Sequence, residues 1–121
     1  MANDNEQAPR VPDAIAADMI AKIVIALVLD TPGVARLTGS RRSRREDDEG
    51  RAKSAKFSKS VRIVIKNDIL SINMRIITAF GRPIPEIARK IQNDTKSRVE
   101  KEFPYLNLAA VNVWVDGVSF D

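Results

Sequence analysis

The chain has 121 residues, 44% of them apolar and 30% charged, with a formal net charge of +4 and neither cysteine nor histidine. That length suits one buried core and is too short for a substrate domain beside a cofactor domain. The two missing residue types exclude disulfides, thiolate or imidazole zinc sites, and the Ser-His and Cys-His nucleophile pairs. Any catalysis would have to run on Asp, Glu, Lys, Ser, Thr or Tyr alone, so no enzymatic activity and no cofactor or metal are expected.

Residues 1–12 are polar and mixed in charge, without the basic and then apolar order of a signal peptide, and read as a flexible N-terminal arm ahead of a single domain at 13–121. Asp13 precedes Ile15, Ala16, Met19, Ile20, Ile23, Val24 and Leu27, whose spacing predicts a helix capped by Asp13 and ending near Asp30. The apolar run Ala14–Leu29 is 16 residues long and contains Asp18 and Lys22. It is too short and too charged to span a bilayer, so a cytoplasmic location is expected. Thr31-Pro32-Gly33 is a stop signal, and Val34–Leu37 predicts a short strand.

From Thr38 to Phe57 the chain reads TGSRRSRREDDEGRAKSAKF. With almost no large apolar residue and no periodicity, this stretch cannot offset its ordering entropy by burial, and it is expected to be a mobile charged insert. Between Arg36 and Lys66 eleven Lys or Arg face only four acids, Glu46, Asp47, Asp48 and Glu49.

Val61, Ile63 and Ile65, then Leu70, Ile72, Met74 and Ile76, alternate across the junction Lys66-Asn67-Asp68, which predicts a β-hairpin. Gly81 breaks the pattern, and Ile84, Ile87, Ala88, Ile91, Thr95 and Val99 mark one face of a second helix over 83–102. Phe103-Pro104-Tyr105 ends it, and Val111, Val113 and Val115 alternate with Asn112, Trp114 and Asp116 in a last strand. The expected class is α+β in the order α-β-β-β-α-β. A small mixed sheet of three to four strands has both helices on one face, and the last strand lies parallel to Leu70–Ile76 through a helical crossover.

The order and spacing of several phrases resemble the alkaline shock protein family, also called the envelope stress response family, over roughly Ile15 to Phe120. They are the apolar helix ending in Thr31-Pro32-Gly33-Val34, the charged insert, the Val61–Ile76 hairpin, Phe80-Gly81-Arg82-Pro83-Ile84, Ile91-Gln92, and Val111-Asn112-Val113-Trp114-Val115. The resemblance implies a small cytoplasmic bacterial protein of envelope stress or envelope homeostasis that has no catalytic constellation. Some members of that family are recruited to the membrane by a membrane-anchored protein partner, and such a partner is expected here. Phe103-Pro104-Tyr105-Leu106-Asn107-Leu108 departs from the family's usual Thr-Gly-Leu-like turn, and the arginine-dense insert is a second departure.

Three candidate surfaces follow from the residues. On the first helix, Asp18 and Lys22 mark the wet face, yet the same stripe continues through Ile25 and Leu29, which need a cover from the domain's own chain or from a partner. Trp114 is expected on the outer side of the last strand, together with Arg62, Val64 and Arg75, as a contact residue or as a cross-strand shield. Ile25, Leu29 and Trp114 are thus the candidate interface, with self-association as the expected outcome.

Arg41, Arg42, Arg44 and Arg45 are a candidate contact for an anionic lipid surface, worth about 1 kcal/mol each, which the acids at 46–49 partly neutralise. The competing readings are a nucleic-acid binder that uses the basic insert and a regulator of lipid metabolism. The first is disfavoured because the hairpin lacks interleaved aromatics and Gly81-Arg82-Pro83-Ile84 is not a GxxG clamp.

Overall fold

The structure, a computed structural model, describes residues 10–39 and 60–120. Six elements follow in chain order: helix α1 (Asp13–Leu29), strands β1 (Val34–Leu37), β2 (Val61–Lys66) and β3 (Ile69–Ala79), helix α2 (Ile84–Glu102) and strand β4 (Asn107–Ser119). This is the α+β order that the periodicities predict.

Strand β3 organises the sheet. Leu70, Ile72, Met74, Ile76 and Thr78 alternate along it and are all buried, so one face of the strand is core from end to end. Ala16, Ile20, Val24 and Val28 of α1, and Ile87, Ile91, Thr95 and Val99 of α2, recur every fourth residue and are buried on that same face. α1 lies over β1 and β2, and α2 over β4, with the two helices touching. Each fully buried Leu or Ile contributes about 1.5–3 kcal/mol, which makes this single layer of contacts the main source of stability.

The pairing of β3 explains where the insert goes. β4 runs parallel to β3 along its whole length, from Ile69↔Asn107 to Ala79↔Ser119, and occupies one edge. β2 (Val61↔Met74 to Lys66↔Ile69) and β1 (Leu37↔Ile76 to Val34↔Thr78), both antiparallel, therefore share the other edge end to end. Only Arg75 separates them. Its carbonyl accepts the Thr38 N–H at 3.0 Å and its N–H donates to the Ser60 carbonyl at 2.8 Å, while the Ser60 hydroxyl donates to the Thr38 carbonyl. β1 and β2 are two halves of one edge strand, opened at a single residue by the insert.

Several local details differ from the sequence reading. Asp13 does not cap α1: Pro12, in an extended conformation, precedes the helix and its carbonyl accepts the Ile15 and Ala16 N–H groups, which leaves Asp13 in the first turn. There its charge favours the helix dipole instead.

The end of the N-terminal arm is held rather than free. Arg10 donates to both Asp68 carboxylate oxygens at 2.9 and 3.0 Å and lies 4.3 Å from the Tyr105 ring centre, while Val11 packs against the core. Residues 1–9 and most of the 38–57 insert lie outside the described residues.

The hairpin turn is Asn67-Asp68, with φ of 53° and 64°, the left-handed pair that suits a two-residue turn between twisted strands. β4 is longer than its Val111–Asp116 alternation, because pairing with β3 extends it in both directions.

Candidate interaction surfaces

With both helices on one face, the other face of the sheet carries side chains that no described element covers. Register places Arg62 opposite Asn73, Val64 opposite Ser71, Asn112 opposite Asn73 and Trp114 opposite Arg75. Trp114 is 58% exposed there, and Ser60, Arg62, Asn73, Arg75 and Trp114 line a shallow depression. The Asn112 amide donates to Asn73 Oδ1 at 2.8 Å, fixing the floor beside the indole.

Next to Trp114 the strand bulges. Val115 pairs with Ile76 and Gly117 with Ile77, so Asp116 is an extra residue whose carboxylate is aimed at the neck of the insert. It accepts Arg75 Nε at 2.9 Å and Nη2 at 3.2 Å, and the Thr38 hydroxyl at 2.9 Å. The Arg75 hydrogen bond, and after it the Thr38 one, hold the Asp116 carboxyl below its ordinary range, while Asp116 raises Arg75. Arg75 is therefore tied down, whereas Arg36 and Arg62 make no ion pair among the described residues.

The three interface candidates do not form one surface. Trp114 lies on the open face, and Leu29, 46% exposed, lies on α1 on the opposite side of the sheet. Ile25 is half-buried and packs against the core, because it follows Val24 around the flank of the helix rather than continuing the wet stripe. The large apolar residues exposed on α1 are instead Ile15, Met19 and Leu29, beside an Asp18–Lys22 pair at 3.3 Å. Arg41, Arg42, Arg44 and Arg45 lie outside the described residues, though the two ends of their segment meet at Arg75.

One surface was not foreseen. Phe80 and Phe120, 65% and 74% exposed, stack with ring centres 4.6 Å apart where β3 and β4 end side by side. Exposed Val118 follows on β4, and exposed Ile84 opens α2. The two rings lie forty residues apart in sequence and meet only through the parallel pairing Ala79↔Ser119. No local pattern signals that.

The groove between the helices carries charges that pair among themselves, as Lys90 and Asp94 do at 3.0 Å. Glu100 and Glu102 are likewise matched to Lys96 and Arg98. Among the described residues no group of Asp or Glu side chains gathers where it could hold a metal ion, and no helix is long and apolar enough to cross a membrane.

Comparison with known protein families finds that the model of the alkaline shock protein family, described as having a cell envelope-related function, matches residues 6–120. The chain belongs to the alkaline shock protein family. That match spans the helix, the insert, the hairpin and the crossover strand, the phrases on which the sequence resemblance rests. No curated protein and no solved structure matches. For this alkaline shock protein domain the function is cell envelope-related.

Proposed function

We propose that this alkaline shock family chain is a non-enzymatic interaction module of envelope homeostasis, cytoplasmic and peripheral to the membrane, which self-associates and docks to a membrane-anchored protein. The observation that supports this reading is the exposure of aromatic residues. Of the five aromatics among the described residues, Phe103 is buried and Tyr105 partly so, while Trp114, Phe80 and Phe120 are exposed. A domain that functioned alone would gain by covering such rings, and large exposed aromatics mark contact surfaces. The open sheet face adds the cationic and amide rim of Arg62, Asn73 and Asn112 around Trp114, the composition of an interface core with a polar margin.

The test is recovery of partners from detergent-solubilised membranes by the wild-type chain and by Trp114→Ala and Phe80→Ser/Phe120→Ser, with circular dichroism as the folding control. Loss of a membrane-protein partner from a folded variant supports the docking role. Unchanged recovery by both variants removes these surfaces from it.

A further inference from the structure

The free edge of β4 differs chemically from the opposite edge of the sheet. Among the described residues nothing pairs with the side of β4 away from β3. Residues 102–121 contain no Lys or Arg, although the whole chain has twenty. Bulges at Ala109 and Asp116 bracket a regular stretch, Ala110–Val115, with no charge and no proline. Long neutral edges of this kind are ordinarily blunted by Lys, Pro or a covering element, because their unpaired N–H and C=O groups template another strand. The opposite edge has that protection: it is broken by the insert, bulged at Ala35 and carries Arg36, Arg62 and Lys66.

Gln92, Asn93 and Lys96 of α2 lie beside Leu108–Val111 at this edge. Gln92 Nε2 donates to the Val111 carbonyl at 3.0 Å. Since backbone groups alternate in direction along a strand, Val113 and Val115 direct theirs to the same edge as Val111.

We infer that β4 pairs antiparallel with β4 of a second copy, across a two-fold axis at Val113, joining two four-stranded sheets into one. This rests on the self-association in the reading above and assigns it a surface. Three features select the occupant. Another extended backbone matches the repeat of the N–H and C=O groups along this edge. A chain of net charge +4 repels its own copies least where its own residues carry no cation, as along Ala110–Val115, with Lys96 of α2 beside only the Leu108–Val111 end. The stretch is also self-complementary about Val113. Val111 then meets Val115 of the second copy, Val113 meets its own counterpart through paired hydrogen bonds, and Asn112 meets Trp114 on the open face, with no like charges opposed. The Gln92 amide must yield the Val111 carbonyl, so it acts as a competitor for the pairing.

The absence of cysteine makes the test clean. Sedimentation equilibrium of the full chain should show a dimer, and Val113→Pro, which removes the central N–H at an edge position where proline is tolerated, should raise the dissociation constant at least about tenfold. Asn112→Lys, an exposed substitution that places two cations diagonally across the axis within reach of each other, should do the same and covers the case in which the proline variant fails to fold.

Asn112→Cys/Trp114→Cys should form intermolecular disulfides on mild oxidation, and Arg62→Cys/Val64→Cys on the other edge should not. A monomer at every concentration overturns both the pairing and the self-association, leaving partner docking standing. A dimer that Asn112→Lys leaves unweakened, or that the 112/114 cysteines do not cross-link, overturns the β4 pairing alone.

Discussion

The two edges of this sheet flank the same strand and are finished in opposite ways. Along one, β1 and β2 form a single antiparallel strand opened opposite Arg75, with a bulge at Ala35 and cations at Arg36, Arg62 and Lys66. Along the other, β4 runs parallel to β3 for thirteen residues with Asp116 as its only charge. An edge can thus be closed to strand addition by interruption and charge without being covered, and a basic chain can keep one neutral edge on which like copies repel least.

The largest expected effects lie where the interrupted edge is anchored. Gly33 precedes β1 with φ of 99°, its carbonyl accepts the Ala79 N–H at 2.8 Å, and a Cβ there would sit 2.6 Å from Ile87 Cδ1. Gly33→Ala combines left-handed strain with overpacking and should cost about 2–4 kcal/mol in urea denaturation, loosening β1 and α2 together. A loss below about 1 kcal/mol would show that β1 is not held by this contact.

Ile25→Glu tests the same half of the molecule from the helix side. Because Ile25 packs against the core under α1, the variant should lose about 1–2 kcal/mol of stability. Unchanged stability with weakened association would instead place Ile25 in an interface.

Deletion of residues 39–60 separates the insert from the edge it interrupts. Leu37 pairs with Ile76 and Val61 with Met74, so Thr38 alone spans the gap opposite Arg75 and β1 becomes continuous with β2. Loop-closure entropy grows only by about 0.6 kcal/mol per doubling of length, so stability should stay within about 1 kcal/mol of wild type or rise. A large fall in melting temperature would show that the insert packs on the domain. On the neutral edge, Gln92→Ala should strengthen dimerisation severalfold in the same sedimentation measurement, by freeing the Val111 carbonyl.

The smallest effect is at the neck. The Asp116 carboxyl is held below its ordinary value by Arg75 and Thr38, so its contribution is fully present above the ordinary carboxylate range and is lost as pH falls through the lowered value. Exposed ion pairs are weak, and Asp116→Asn should produce only a slight drop in melting temperature at neutral pH. That difference from wild type should vanish in acid, and one that persists there would trace the effect to the backbone bulge rather than to the charge.

Much of this molecule was determined by the sequence itself. The three- and four-residue spacings of Ala16, Ile20, Ile23, Val24 and Leu27 and of Ile87, Ile91, Thr95 and Val99, the two-residue periods of Leu70 to Ile76 and Val111 to Val115, the stop at Thr31-Pro32-Gly33 and the junction at Lys66-Asn67-Asp68 are local, because each depends on neighbours a few residues away. They were enough to predict both helices, the hairpin and an outward Trp114.

The tertiary structure alone decided which strands share an edge, and with it the position of the insert's neck at Arg75. It also decided the clasp of Arg10 on Asp68 and Tyr105 and the stacking of Phe80 on Phe120. It moved Ile25 from the wet stripe to the flank of the core and lengthened β4 beyond its alternating valines. These features depend on groups brought together from distant parts of the chain. A backbone that gains a hydrogen-bonding neighbour stays extended even where its side chains show no period.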